Sequence, residues 1–211
     1  MLKAEGISFR YAKRRPWVLR TASIQIKSGE IVGLKGPSGQ GKTTLGKIMA
    51  GYLLPIRGRV SADDQPLPRR GYCPVQMIFQ HPELAFNPRW RIGPALTEGY
   101  APSTDLLQAL SIDESWMNRW PHELSGGELQ RIAVARALGP KTRYLVADES
   151  TAMLDAITQA QIWHVILGHA KEYQVGVLAI SHEVALLERI CDRIADFSEI
   201  NGFPAKLKER T

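Results

Sequence analysis

A glycine-rich segment that ends in a lysine and two threonines carries the clearest chemical signal in the sequence. Residues 36–44 read GPSGQGKTT and match the pattern G-x-x-x-x-G-K-[ST], in which backbone N–H groups turn inward around phosphates. An apolar run precedes the segment and a helix-like run follows it, so the N-terminus of a helix adds positive potential. Lys42 would then reach the β- and γ-phosphates, and the Thr43 hydroxyl would ligate Mg²⁺. The predicted phosphate-binding residues are Gly36, Ser38, Gly39, Gly41, Lys42, Thr43 and Thr44.

Two adjacent carboxylates follow a second apolar run, at residues 144–147. Asp148 at the end of a strand suits an outer-shell contact to Mg²⁺. Glu149 beside it could accept a proton from an attacking water or orient that water. The alternatives are an acidic loop at a strand end and, for residues 36–44, a glycine-rich turn with an exposed lysine. Because open α/β sheets bind ligands at the carboxyl ends of their strands, we expect both motifs to meet at one edge of the sheet.

A second helix start with the composition of an anion site lies at residues 124–128, which read LSGGE and are followed by a helical pattern. A serine and two glycines open this helix, so its first N–H groups are free to bind an anion. One phosphate loop and two such helix starts in one chain favour a composite site. The second helix start would then cap a nucleotide that another subunit holds. The alternative is a capped helix with a glycine hinge.

The elements that must position these residues alternate between strands and helices. The runs at 144–147 and 177–180 are continuously apolar, which is typical of strands buried on both faces of a parallel sheet. Residues 42–50 and 157–170 read as helices. The stretch from 81 to 121 is rich in proline, carries only short helical runs and is interpreted as an inserted lobe. The sequence therefore predicts an α/β fold with helices on both faces of the sheet.

Composition excludes several classes of protein but does not name a function. The chain has 211 residues, 44% of them hydrophobic, and a formal net charge of +6, which argues against disorder and collagen-like repeats. No apolar run reaches the roughly 18–20 residues of a membrane span, and the N-terminus has no apolar signal core. Cys73 and Cys191 form no CxxC pair, so a zinc or disulfide scaffold is disfavoured and a reducing compartment is expected. The positive charge permits nucleic acid, an anionic membrane surface or a phosphorylated ligand as partner.

With these motifs in order along nearly the whole chain, the sequence resembles the nucleotide-binding subunits of ABC transporters. Residues 124–128 are similar to the signature of that family. The resemblance implies a P-loop NTPase core with a mostly parallel sheet, a small N-terminal antiparallel β-lobe and an inserted helical lobe. It implies one nucleotide-binding domain over residues 1–211, with a RecA-like core, the β-lobe at about 1–30 and 52–72, and the helical lobe at about 81–138.

Further site residues follow from this resemblance alone. Gln80 is similar to the Q-loop glutamine, and His182 is similar to the switch histidine that contacts the γ-phosphate. Tyr11 is placed like the aromatic residue that stacks on adenine, and Asp155 like the aspartate of the D-loop. From the residues alone, Gln80 could instead be a surface-loop residue, His182 a core histidine and Tyr11 a residue that only packs. The implied catalytic set is Glu149, His182 and Gln80, and the implied Mg²⁺ set is Thr43, Gln80 and Asp148.

The resemblance also implies cofactors and partners. ATP and Mg²⁺ would bind between two cassettes packed head to tail, and the second cassette would be identical or a paralogue. The residues that would cap the nucleotide of the partner cassette are Ser125, Gly126, Gly127 and Glu128. The assembly would include transmembrane permease subunits and, indirectly, a solute-binding protein, on the cytoplasmic face of the cell membrane.

Two strings of residues are similar to the oligopeptide, dipeptide and nickel importers of the family. Residues 120–127 read WPHELSGG, and residues 78–82 with 86–90 read IFQHP and FNPRW. The expected function is therefore ATP hydrolysis that powers import of a peptide, nickel or a metal chelate. The sequence departs from the family at Ser150, where proline is usual, and at residues 152–155, where AMLD replaces the usual SALD.

Two other functions compete with this interpretation. A nucleic-acid-associated ABC ATPase is compatible with the charge, but the chromosome-maintenance type inserts a very long coiled coil where this chain has 45 positions between Gln80 and Ser125 (125 − 80). No nucleic-acid partner is therefore expected, and salt-sensitive binding to DNA or RNA would revive this alternative. The second alternative is a small P-loop kinase, but that function gives no reason for the glycine-rich helix start after Ser125.

Overall fold

The strands of the chain form two sheets. The computed structural model describes residues 1–151 and 154–202. In chain order the strands are β1 (Leu2–Phe9), β2 (Leu19–Ile26), β3 (Ile31–Lys35), β4 (Arg57–Ala62), β5 (Gln65–Pro66), β6 (Val75–Ile78), β7 (Tyr144–Asp148), β8 (Gly176–Ile180) and β9 (Arg193–Asp196). One sheet is antiparallel in the order β2-β1-β4-β5, and the other is parallel in the order β6-β7-β8-β3-β9. The predicted combination of a mostly parallel sheet with a small antiparallel one is confirmed.

Helices lie in the connections between strands of the parallel sheet, and a further helix follows β9. They are α1 (Lys42–Met49), α2 (Ile92–Leu96), α3 (Thr104–Ala109), α4 (Gly126–Ala137), α5 (Ala156–Tyr173), α6 (Val184–Ile190) and α7 (Phe197–Ile200). The proline-rich stretch forms α2, α3 and three short 3₁₀ helices, at Pro82–Ala85, Glu114–Asn118 and Pro121–Glu123, since proline tolerates only the first turn of a helix. Within the described ranges, no helix combines the length and the apolarity needed to span a bilayer.

Two hydrophobic cores cover the faces of the parallel sheet. Every residue of β7 and β8 is buried, as the apolar runs at 144–147 and 177–180 predict. One core lies between this sheet, α1 and the antiparallel sheet, with Leu34, Leu45 and Ile180 among its members. The other lies against α4 and α5, and includes Ile132 and Ile166. Full burial of each such side chain stabilises the fold by roughly 1.5–3 kcal/mol, so the sheet is a rigid platform for the loops at its ends.

The strand order brings four separate chain segments to one edge of the parallel sheet. Leu34 of β3 pairs with Ile180 of β8, Asp148 of β7 pairs with the same Ile180, and Ile78 of β6 pairs with Ala147. All four strands run in the same direction, so they end at nearly the same level. We call this end of the sheet the carboxyl edge; it carries the segments that follow β3, β6, β7 and β8, where ligands bind in open α/β sheets.

Candidate functional site

The loop after β3 has the conformation of a phosphate cradle. Gly41 has a φ of 111°, and a Cβ at this position would lie 2.7 Å from Val18 Cγ1, so both backbone and space require glycine. Ser38 and Gly39 are exposed at the tip of the loop. The Lys42 side chain is buried and folds back over the loop, where Nζ donates to the carbonyl oxygens of Gly36 (2.6 Å) and Pro37 (3.0 Å). Two carbonyl oxygens of the loop therefore hold its lysine in place.

The two threonines that follow the lysine connect the loop to other parts of the chain. The Thr43 hydroxyl donates to Asp148 Oδ1 at 3.1 Å, across 105 residues of sequence. The hydroxyls of Thr44 and Tyr11 are hydrogen-bonded at 3.0 Å. The Tyr11 ring meets Phe9 edge to face and is 62% exposed, so one face of an aromatic ring is available beside α1.

Asp148 is almost fully buried at the end of β7. Burial raises the pKa of its carboxyl group, against the hydrogen bond from Thr43 and the positive charges of Lys47 and Lys42, which lower it. Asp148 and Thr43 offer only oxygen donors, which is the donor type that Mg²⁺ prefers. No cluster of three or more His, Cys, Asp or Glu side chains arranged for a metal occurs in residues 1–151 and 154–202. The site thus fits a hard ion that takes its other ligands from water and phosphate.

Glu149 has a strained backbone and a histidine partner. Its φ is 44°, in the left-handed region that non-glycine residues rarely adopt. Its N–H donates to the carbonyl of Ile180 on β8 at 2.9 Å. Its Oε1 lies 3.3 Å from His182 Nδ1, and the two side chains are 14% and 54% exposed, respectively. The structure thereby joins the ends of β7 and β8 at two of the three residues that were predicted to be catalytic.

Gln80 lies at the same edge, two residues after the end of β6, and is half-buried. The carboxyl edge therefore collects the phosphate loop and the segments that contain Gln80, Asp148, Glu149 and His182. In the sequence these segments are separated by up to 146 residues (182 − 36), and the strand order of the parallel sheet is what brings them together.

The predicted second helix start is confirmed as the N-terminus of α4, and its residues are partly exposed. Ser125 is the N-cap: its Oγ accepts from Glu128 N (3.3 Å), and its own N–H donates to Glu128 Oε2 (2.7 Å). The backbone N–H of Ser125 holds the pKa of Glu128 below its usual range. A Cβ on Gly126 would meet no atom within 4 Å, and one on Gly127 would lie 3.6 Å from Leu154. There is thus open space beside Gly126, whereas the space beside Gly127 is limited by Leu154.

Asp155 caps α5. Its Oδ1 accepts from the backbone N–H groups of Ile157 (3.1 Å) and Thr158 (3.0 Å), and the Thr158 bond is the main cause of a lowered pKa for Asp155. The helix starts at Ala156, one residue earlier than predicted. Ala152 and Met153, at which the D-loop departs from the usual SALD, lie outside the described residues.

The contacts at the end of α4 involve residues that were not predicted to be functional. Arg136 at the end of α4 donates to the carbonyl of Ala85, pairs with Glu98 and lies 5.6 Å from the centroid of the Phe86 ring. Phe86 is core, whereas Trp90 is exposed, so only part of the aromatic segment after Gln80 is available to a partner. Motif spacing gave no signal for Arg136, since its three contacts come from distant parts of the sequence.

Comparisons with known proteins agree with this geometry. The profile of the ABC transporter family matches residues 19–152. The chain is 31% identical, over 92% of its own length and 82% of the relative's, to the nickel import ATP-binding protein NikE of Escherichia coli K12. It is 33% identical, over 92% and 68%, to a Brucella ovis protein whose name describes peptide import. A solved dimer of MJ0796, a bacterial ABC transporter cassette, superposes with a TM-score of 0.77 at 25% identity, over 93% of this chain and 94% of that one. The same cassette was solved with ADP and Pi after hydrolysis, with a TM-score of 0.78 at 26% identity over the same shares.

Proposed function

The chain belongs to the ABC transporter family and is an ATP-binding subunit and ATPase of that family, and on this premise we propose that it powers the import of nickel, a metal chelate or a peptide through a membrane permease. One observation carries the proposal: the phosphate loop, Asp148, Glu149 and His182 meet at one edge of one sheet. Import is proposed because the similar proteins include nickel and peptide import ATP-binding proteins.

ATP is proposed to bind along the loop after β3. Lys42 would exchange its two carbonyl acceptors for the β- and γ-phosphates, which accept stronger, charge-assisted hydrogen bonds. The N–H groups of Ser38, Gly39 and Gly41 and the N-terminus of α1 would surround the phosphates, with Thr44 in the first turn. Tyr11 would stack on the adenine with its exposed ring.

Thr43, Asp148 and Gln80 are the residues proposed to hold Mg²⁺. When bound, the ion would neutralise charge on the phosphate oxygens. The hydrogen bond between Thr43 and Asp148 keeps both oxygen donors at the same point, and it would be exchanged for contacts to the ion or to its waters.

Hydrolysis is assigned to Glu149 and His182. The Glu149 carboxylate is mostly shielded from solvent, so it would orient a single water for in-line attack and accept its proton. His182, which is more exposed, would hold the γ-phosphate and fix the carboxylate beside it. Both residues follow buried strands, which limits their movement between turnovers.

Two cassettes are proposed to form each complete site. The N-terminus of α4 is open at Ser125 and Gly126, and the capping box with Glu128 presets its direction. In the assembly, Ser125, Gly126 and Gly127 would contact the nucleotide of the second cassette, and Asp155 would contact that cassette directly. The partner is a second copy or a paralogue. The solved dimer of a similar cassette supports this arrangement.

The permease is proposed to dock beside Gln80, where the chain exposes large apolar side chains. Leu84 and Trp90 follow Gln80, and Tyr52 and Leu54 lie beyond α1; all four are exposed. Such a contact would place the chain on the cytoplasmic face of the membrane. The chain would act there as one domain of residues 1–211. A solute-binding protein would act on the other side of the membrane.

The proposed import function is tested by uptake in cells that lack the chain. We expect deletion to abolish accumulation of nickel, of a metal chelate or of a peptide, the wild-type chain to restore it, and the hydrolysis-deficient variant Glu149→Gln to fail. Accumulation that is unchanged for all three solutes, or that rises on deletion as it would for an exporter, contradicts the proposal.

Adenine stacking is tested at Tyr11. Removal of the ring by Tyr11→Ala is expected to weaken ATP binding about tenfold, because a stacked aromatic–base pair contributes roughly 1–3 kcal/mol. Tyr11→Phe keeps the ring, loses only the hydrogen bond to Thr44 and should stay within about twofold of wild type. Tyr173→Ala removes a similarly exposed ring from α5 and serves as the control in the same ATP titration. Equal affinities of Tyr11→Ala and the control would contradict stacking.

A further inference from the structure

The strained backbone of Glu149 needs support on both sides. A left-handed φ is costly for a residue with a side chain, and it persists only where the surroundings hold it. On the N-terminal side the support is plain, since Asp148 belongs to β7 and the Glu149 N–H bonds to Ile180 of β8. The residue that follows, Ser150, gives none from its side chain: its hydroxyl is buried without a hydrogen-bond partner within the described part of the chain.

The support on the C-terminal side comes from Thr151. This residue is 3% exposed, and its Oγ1 accepts from the indole Nε1 of Trp163 at 3.1 Å and from Nε2 of Gln159 at 3.2 Å. A hydroxyl has two acceptor positions, so both donors can be satisfied at once. Trp163 and Gln159 are one turn apart on α5, an 18-residue helix. The Gln159 amide also approaches the Thr151 carbonyl oxygen, at 3.5 Å. The main chain two residues after Glu149 is therefore attached to a rigid helix, and the shorter bonds run through the Thr151 hydroxyl.

The same helix also contacts the segment that contains His182. Nε2 of Gln159 lies 3.3 Å from Oε2 of Glu183, and the Glu183 N–H donates to Ser181 Oγ at 3.0 Å. One amide group thus lies between the segment after β7 and the segment after β8. The first of these segments contains Glu149 and the second contains His182, whose side chains approach each other to 3.3 Å.

We propose that Thr151 is a positioning residue for Glu149, and that Trp163 and Gln159 hold it through its hydroxyl. The inference rests on the proposed function of Glu149 in hydrolysis, but it concerns different residues and different bonds. Its consequence is that loss of the hydroxyl slows the chemical step and leaves the phosphate loop, and hence ATP binding, unchanged.

The test is steady-state ATP hydrolysis by the full-length chain in the assembled transporter. Thr151→Val replaces the hydroxyl by a methyl group of similar size, and we expect kcat to fall about tenfold while KM for ATP stays within about twofold. Thr151→Ser keeps the hydroxyl and should retain most of kcat. Trp163→Phe removes one donor and should lower kcat in the same way. The double variant Thr151→Val/Trp163→Phe should lose no more kcat than Thr151→Val alone, because both substitutions break the same hydrogen bond between Trp163 and Thr151.

Thr142→Val is the matched control. Thr142 is buried to the same degree (4% exposed), and its hydroxyl bonds to the Tyr72 hydroxyl (2.7 Å) and the Ala137 carbonyl (2.8 Å), away from the carboxyl edge. We expect it to lower the melting temperature as Thr151→Val does, with kcat within about twofold of wild type. Equal losses of kcat in the two valine variants, or wild-type kcat in Thr151→Val, overturn the inference.

Two further measurements keep the inference testable on its own. If Thr151→Val melts below the assay temperature, Gln159→Met is measured in its place. This variant changes a half-buried side chain and should lower kcat about threefold at constant KM. An unchanged kcat would count against the inference. If Glu149→Gln keeps its turnover, the proposed role of Glu149 fails. If Glu149→Gln loses turnover but Thr151→Val does not, only the positioning role is wrong.

Discussion

Glu149→Gln is expected to lower ATP turnover by about 10²–10⁴-fold, the usual contribution of a positioned general base. The amide occupies the same volume but cannot accept a proton from water, so the chemical step is lost while the phosphate loop stays intact. ATP affinity, measured by titration at constant Mg²⁺, should change by less than about twofold. Turnover in the assembled transporter that stays near the wild-type rate would contradict the assignment of Glu149.

The same variant reports on the second cassette. With hydrolysis blocked, the ATP-bound chain should accumulate as a dimer, with itself or with a paralogue, in size-exclusion chromatography. Adding Gly126→Asp places a carboxylate at the open N-terminus of α4, where it would repel the phosphates of the partner, and should return the chain to a monomer. Glu188→Gln, a matched change on the exposed face of α6, should alter neither turnover nor assembly.

Lys42→Ala is expected to weaken ATP binding by about 10- to 100-fold. The ammonium group is the charge that the loop holds in place, and a charged hydrogen bond to phosphate contributes roughly 1.5–3 kcal/mol. Turnover at fixed ATP should fall with it. The measurement is an ATP titration followed by calorimetry, together with the melting temperature of the nucleotide-free variant.

Lys171→Ala provides the control for this loss of charge, because Lys171 is exposed near the end of α5. It should bind ATP like wild type. An affinity of Lys42→Ala within about twofold of this control would show that the lysine does not reach the phosphates. A collapse of its melting temperature would instead assign Lys42 a structural role through its bonds to Gly36 and Pro37.

Local sequence was sufficient for much of the fold and the site. The phosphate loop was predictable because its glycines, its lysine and the strand before it are contiguous. β7 and β8 were predictable because a strand buried on both faces must be apolar throughout. The convergence of both motifs at the carboxyl edge followed from a general rule for parallel sheets.

Long-range contacts were not predictable from the sequence. The hydrogen bonds from Trp163 and Gln159 to Thr151 depend on the angle at which α5 leaves its N-cap, and no spacing rule encodes that angle. The bond between Tyr11 and Thr44 joins the segment after β1 to the first turn of α1, which depends on the packing of two sheets. Arg136 was missed for the same reason, since its partners Ala85, Phe86 and Glu98 lie 38 to 51 residues away in the sequence.

The strand order has a consequence for how the chain is made. β3, which leads into the phosphate loop, lies between β8 and β9, so Leu34 finds its partner Ile180 only 146 residues later (180 − 34). At about 5–20 residues per second, a ribosome needs roughly 7–30 s to synthesise that interval. For that time the nascent chain carries an unpaired apolar strand and an unformed phosphate loop. We therefore expect nucleotide binding to begin only after β8 has been synthesised and has paired with β3.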